Sequence, residues 1–227
     1  MSEFASAAPG VAAGSPTEPR FTIRSAEPIE YSATPGVRFH LQVTEPRGLE
    51  VYTIALSAQI HIDPARRSYD EATRERLVEL FGAPERWGAT THSFQWARVQ
   101  CLVPSFTGST AFTLEVPCSY DLEVASSKYF DAVGDSEVPL SFHFNGTVLY
   151  RGDDDRLQVV LVPWSCSTRW GMPVAVWKRT MDAHYPGGGW IRLEHETLAA
   201  ISREKAIRGL HSYDATLREL LEAGRAP

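Results

Sequence analysis

Between residues 37 and 44 apolar and polar side chains alternate without a break. Val37, Phe39, Leu41 and Val43 stand against Arg38, His40, Gln42 and Thr44. Such a row can be buried together only as an extended strand with one dry face, because a helix would scatter it around its circumference. The alternation returns over residues 50–62, where Tyr52, Ile54, Leu56, Ala58, Ile60 and Ile62 form the apolar row, and over 110–117 with Phe112, Leu114 and Val116. A further strand is expected at about 93–104. Sheets with one dry and one wet face are characteristically antiparallel, and Pro46-Arg47-Gly48 reads as a turn joining the first two strands into a hairpin.

Residues 138–162 hold two turn signals. Asn145-Gly146 is the stronger two-residue hairpin motif, yet Val138, Leu140, Phe142, Phe144, Val148 and Tyr150 keep one parity straight through it. A turn at Gly152–Asp155 is therefore expected instead. It pairs Tyr150 with Leu157 and Val148 with Val159 on the buried face, and leaves Gly146 as a bulge or a point of close approach. Helical signals interrupt and then end the chain. Ser68-Tyr69-Asp70-Glu71 has capping-box spacing before the stripe Leu77, Val78, Leu80 and Phe81, and Gly82 with Pro84 stop that helix. Pro173 opens a second helix, with Val174, Trp177 and Met181 on one face and Pro186 as its end. After Gly187-Gly188-Gly189, two more helices are expected at about 194–208 and 213–223, the last capped by Ser212. The fold class is thus α+β: an antiparallel β-sandwich or bent sheet with one inserted helix and a C-terminal helical cap. Residues 1–19, rich in Ala, Pro and Ser, are expected to be a disordered tail. Residues 20–165 form the β body with a helix near 69–81, and 166–227 form the cap.

Charge excludes some functions. The net charge is −6, and −4 of it falls within residues 117–137, with no basic face elsewhere, so the electrostatic footprint of nucleic-acid binding is missing. No apolar run approaches the ~20 residues of a membrane-spanning helix, and no membrane insertion is expected. Three cysteines, Cys101, Cys118 and Cys166, fit neither a disulfide framework nor a zinc site. With an N-terminus unlike a signal peptide, they predict reduced thiols in a cytoplasmic protein.

Nor does the sequence carry a catalytic or metal constellation. His40 and His61 fall about six residues out of register if their strands pair, too far apart to share an ion. Asp153-Asp154-Asp155 lacks the glycine and glutamate of a calcium loop. Cys166, with His184 as the nearest base in sequence, is a weak nucleophile candidate. No cofactor, metal or catalytic residue is expected, and the chain is read as non-enzymatic.

The feature that points to function is aromatic clustering. Trp164, Trp170, Trp177 and Trp190 fall within a short stretch, joined by Arg169, His184, Tyr185 and Arg192. Trp177 is in phase with Val174 and Met181 and belongs to the core. The candidate binding surface is therefore Trp164, Arg169, Trp170, His184, Tyr185, Trp190 and Arg192. Three readings stay open. The indoles weld cap to sandwich or dock a protein partner, since Trp and Arg are favoured interface anchors; they line a small-ligand or enzymatic pocket between sandwich and cap; or the chain is a sheet-edge chaperone or scaffold.

Several segments also resemble an uncharacterised, mainly actinobacterial domain family about 200 residues long, an ordinary domain size. They are Phe106-Thr107-Gly108-Ser109-Thr110, the run from Pro117 to Ala125 with Lys128-Tyr129, Gly146-Thr147-Val148, Val162-Pro163-Trp164, and the stretch from Pro186 through Trp190-Ile191-Arg192-Leu193. Members of that family are often encoded beside NiFe-hydrogenase genes. The resemblance implies an accessory protein that binds a hydrogenase subunit or maturation factor, and no cluster-ligating Cys-Xaa-Xaa-Cys pair is present to suggest the hydrogenase itself.

Overall fold

A computed structural model describes residues 18–119, 121, 124–134, 136–152 and 154–225. Up to residue 17, the expected tail lies outside the described residues. Pro19, assigned to that tail, is buried, and its carbonyl accepts a hydrogen bond from the Cys166 thiol.

The alternating segments become the strands of two antiparallel sheets. β1 (Arg20–Pro28), β2 (Gly36–Thr44) and β6 (Ser109–Pro117) make the smaller sheet, in the order β1-β2-β6. The larger sheet has the order β4-β3-β7-β8, from β4 (Phe94–Val103), β3 (Glu50–Ile62), β7 (Glu137–Arg151) and β8 (Leu157–Leu161). The short β5 (Phe106–Thr107) pairs with one end of β3, and β9 (Ser167–Pro173) pairs with the first half of β7. Inward rows from both sheets supply the core: Phe39, Leu41, Ile54, Ile60, Leu114 and Phe142 are all essentially inaccessible to solvent. Phe21 stacks on Phe144 at 4.2 Å between centroids, and Phe39 meets Phe142 edge to face at 5.2 Å. The fold is an α+β sandwich.

Among the described residues six α-helices decorate it. α1 (Glu71–Phe81) starts at Asp70, whose carboxylate accepts from the Thr73 amide at 2.7 Å. The cap is therefore Asp70 rather than Ser68, and Val78 of the expected stripe faces solvent while Thr73, Leu77 and Phe81 go in. α2 (Trp87–Thr90) is a single turn, and α3 (Ala125–Ala132) lies inside the acidic stretch, where it buries Tyr129 and Phe130. α4 (Val174–His184) buries Val174, Trp177 and Met181. α5 (His195–Ile207) and α6 (Tyr213–Ala223) pack chiefly on each other, with Ser212 Oγ capping α6 at the Ala215 amide.

Four details depart from the sequence reading. β2 and β3 are consecutive but lie in different sheets, so the turn at 46–48 is a crossover between layers and not a hairpin. His40, on the smaller sheet, instead hydrogen-bonds Glu27 at 3.0 Å. A bulge between Val51 and Thr53 shifts parity by one residue, which buries Val51 and turns Tyr52 outward. Residues 167–173, assigned to the helical cap, are a strand, because Leu140, Phe142 and Val138 of β7 need a neighbour and Trp170, Thr168 and Met172 supply it.

The fourth concerns β8. Gly152 N–H donates to the Arg156 carbonyl, and Asp155 adopts a left-handed φ of 61°. The connection is thus a three-residue loop closed by a left-handed residue, a common hairpin type. The four-residue turn expected from sequence would give a register one residue different. The structure pairs Tyr150 with Gln158 and Val148 with Val160. A one-residue slip exchanges the two faces of a strand, so Gln158 and Val160 point inward and Leu157, Val159 and Leu161 point out.

Gly146 is the expected point of close approach. It pairs with Leu56 at φ 152°, and a Cβ there would lie 2.1 Å from the Ala55 carbonyl oxygen. The three nearest atoms, from Ala55 and Leu56, are all backbone, so nothing can rotate aside. Gly146→Ala is expected to destabilise the fold by about 3 kcal/mol, the range of the severe single substitutions, measured by urea denaturation; an effect below about 1 kcal/mol would contradict this strand spacing.

Candidate functional site

The exchanged face of β8 joins a surface that the other strands have already prepared. Across the solvent side of the larger sheet, Leu102 of β4 pairs with Ala55 of β3, Ala55 with Thr147 of β7, and Thr147 with Leu161 of β8. The adjacent row runs Thr53, Leu149 and Val159. Leu102, Leu161, Val159 and Leu157 are 74, 71, 63 and 59% exposed. Solvent faces of antiparallel sheets are normally polar, and clustered aliphatic side chains of this kind mark interaction sites.

Small residues shape this surface. Ala55, Ser57 and Gly146 sit side by side beneath a concavity of about 460 Å³, with Leu102, Arg98 and Asn145 also lining it. Gly146, which lets β7 approach β3, also lines the hollow.

The other half of the same face is polar. One row runs Arg98, Gln59, His143 and Ser167; the next runs Gln95, His61, Ser141 and Arg169. His61 and His143 meet edge to face at 5.2 Å. Burial, reinforced by the neighbouring His143, lowers the His61 pKa, which keeps that ring neutral at physiological pH. Among the described residues Arg98 and Arg169 make no ion pair; Arg98 reaches only the Ser57 hydroxyl, at 3.4 Å. The face is thus half aliphatic and half cationic-polar, with guanidinium charge left uncompensated.

The seven residues singled out from sequence do not come together. Trp170 lies on the inner face of β9 against Phe39, at 6.0 Å between centroids, whereas Arg169 points to the outer face. Trp164 is 92% exposed on the turn that follows β8, where Cys166 N–H donates to the Pro163 carbonyl. His184 ends α4, with its ring nitrogens 3.0 Å from the carbonyls of Thr180 and Ser32. Tyr185 follows it. Trp190, bridged to Asp121, and Arg192 are exposed on the segment leading to α5. Of the seven, Arg169 stands on the outer sheet face, opposite Ser141. Sequence reading missed Leu102, Leu149, Val159 and Leu161. A three-residue loop between Gly152 and Arg156 would have pointed to the last two.

His184, the base nearest to Cys166 in sequence, has both ring nitrogens engaged with carbonyls. Burial, with Glu18 adding to it, raises the Cys166 pKa. Burial also pushes Cys101 up to about 11 and Cys118 up to about 12. Thiols held protonated are poor nucleophiles at neutral pH. Among the described residues no three His, Cys, Asp or Glu side chains cluster as metal ligands, and no helix is long and apolar enough to cross a membrane.

The chain belongs to the family of unknown function DUF6084, whose family model matches residues 16–227. No curated protein sequence matches it. Among solved structures it is similar to a protein described as late embryogenesis abundant (LEA), at 12% identity over 68% of this chain and 71% of that one, with a TM-score of 0.32. It is also similar to the ApaA protein from Bordetella pertussis, at 9% identity over 70% of this chain and 96% of that one, with a TM-score of 0.24. The strand pairing described above therefore carries the fold assignment.

The thiol environments lead to a direct expectation. In the native protein at pH 8, Cys101 and Cys118 should alkylate about tenfold or more slowly than in the urea-unfolded chain. Mass spectrometry of iodoacetamide-treated samples measures this, and native rates equal to unfolded ones would show that the thiols are not shielded.

Proposed function

We propose that this DUF6084 member is a non-enzymatic accessory protein that binds another polypeptide on the outer face of its β4-β3-β7-β8 sheet. The single observation that carries this reading is the pair of adjacent rows that expose Leu102, Val159 and Leu161 on the face that also carries Arg98 and Arg169, which make no ion pair among the described residues. Burying such a row gains about 25 cal/mol for each Å² removed from water. The arginines select for sign. The partner that fits presents apolar side chains next to acidic ones, the arrangement that couples a dry interface core to electrostatic steering. The hollow over Ala55, Ser57 and Gly146 receives one of its larger side chains.

The resemblance described above directs the search for that partner towards a cytoplasmic NiFe-hydrogenase subunit or maturation factor. The test is affinity purification from the native host with the wild-type chain, Leu102→Asp, Arg169→Glu and, as a control remote from the sheet, Ile207→Asp. All three substitutions are at exposed positions, where effects on stability stay within about 0.5 kcal/mol. A specific partner is expected to fall at least tenfold with Leu102→Asp and Arg169→Glu and to be retained with Ile207→Asp. Equal recovery with all four chains would overturn the assignment of this face, and a hydrogenase subunit absent from the eluate would overturn that choice of partner.

A further inference from the structure

The backbone of β8 carries a second message. Gly152 N–H donates to the Arg156 carbonyl and Val162 N–H donates to the Gly146 carbonyl, both at 2.9 Å. Hydrogen-bonded and non-hydrogen-bonded pairs alternate along an antiparallel ladder. The pairs 148/160 and 150/158 therefore bond to β7, while Leu157, Val159 and Leu161 turn their N–H and C=O groups away from it. β8 ends the sheet on that side. The same three residues thus have exposed aliphatic side chains and main-chain groups that are unpaired among the described residues. Natural edge strands are normally protected by charge, proline, a bulge or a covering element. Leu157-Gln158-Val159-Val160-Leu161 has no charge and no proline within it.

We infer that this edge is closed by a second copy of the chain, with β8 pairing antiparallel to β8 about a two-fold axis through Val159. The register follows from self-complementarity. Val159 faces Val159 of the second copy, and Leu157 faces its Leu161, so the free N–H and C=O groups of each strand meet those of the other. The pattern Leu-x-Val-x-Leu reads the same in both directions and lays its aliphatic side chains side by side. Neighbouring registers fail. Sliding two residues one way sets Leu157 opposite Pro163, which has no N–H; sliding the other way sets Leu161 opposite Asp155, held at φ 61° in the turn. Sliding one residue opposes free groups with groups already bonded to β7. Arg156 comes opposite Val162, so no like charges meet. Extending the register brings the exposed Trp164 against the Gly152–Arg156 turn of the second copy. The result is one continuous sheet of order β4-β3-β7-β8-β8-β7-β3-β4, an isologous interface.

This pairing uses the main chain of β8 and leaves Leu102 and Arg169 exposed, so it is separable from the docking of another polypeptide on the outer face. The experiment takes the full-length chain through size-exclusion chromatography with light scattering over a micromolar concentration series. Wild type is expected to be a dimer. Val159→Pro removes an N–H that β7 does not use, at an edge position where proline is tolerated, and is expected to be monomeric. Because Val159→Pro can also fail to fold, cysteine pairing provides a second readout. Hydrogen-bonded antiparallel residues lie about 5.5 Å apart at Cα, within disulfide range. Val159→Cys is therefore expected to form an intermolecular disulfide under mild oxidation, and Val160→Cys, which faces the core, is not. A monomeric wild type, or a dimer in which Val159→Cys does not cross-link, overturns the pairing. A monomer whose partner capture still depends on Leu102 overturns the pairing alone and leaves the docking face standing.

Discussion

Phe39 is the side chain on which the two sheets agree. It has no solvent exposure, and its ring meets Phe142, Trp96 and Trp170, from three different strands of the opposite sheet, at 5.2, 6.0 and 6.0 Å between centroids. All three contacts are edge to face, each worth about 0.5–1.5 kcal/mol beyond the area buried. The chain of rings continues: Trp96 to Phe130 at 5.0 Å and Phe130 stacked on Trp177 at 4.5 Å ties α3 and α4 to the sandwich. Tyr129 links onward to Tyr69 through a 2.7 Å hydroxyl–hydroxyl bond, which brings the approach to α1 into the same network. Helices that would be marginal alone are held by this packing.

That network also decides where function can lie. It buries Trp177 and packs Trp170, half-buried, against Phe39, so neither stands free on the surface as Trp164 does. The exposed aliphatic side chains lie instead on the far side of the larger sheet, which no second layer of described residues covers. There the loop between Gly152 and Arg156 has an outsized effect. Its three residues set the register of β8, and the register decides that aliphatic side chains rather than Gln158 meet solvent. The small side chains of Ala55 and Ser57 then hollow the same face, with Gly146 in its lining.

Much of the architecture was legible in the residues themselves. The alternation in β2, β3 and β6, the helical face of Val174, Trp177 and Met181, the Ser212 cap and the passage of β7 straight through Asn145-Gly146 each rest on local periodicity or local hydrogen bonding. The misreadings are all of one kind. Tyr52 points outward because a bulge inserts one residue; β8 inverts because its loop is one residue shorter; Ser167–Pro173 becomes a strand because β7 is long enough to need two partners in succession. α3 escaped notice because its eight residues owe their burial to the network around Tyr129 and Phe130 rather than to a repeating stripe. For the site, proximity along the chain was a poor guide. Arg169 and Trp170 are neighbours in sequence and lie on opposite faces of the sheet.

By itself the sequence determined which segments extend and which coil, since a period of two or of 3.6 needs only neighbours along the chain to express itself. Its net charge of −6 with no basic face also set the expectation against nucleic-acid binding. Only the tertiary structure decided which sheet each strand joins, which side of β8 is wet, and that Leu102, Val159 and Leu161, drawn from two strands far apart in sequence, share one face. Those outcomes depend on pairing register between distant strands, a quantity in which a single residue inverts inside and outside.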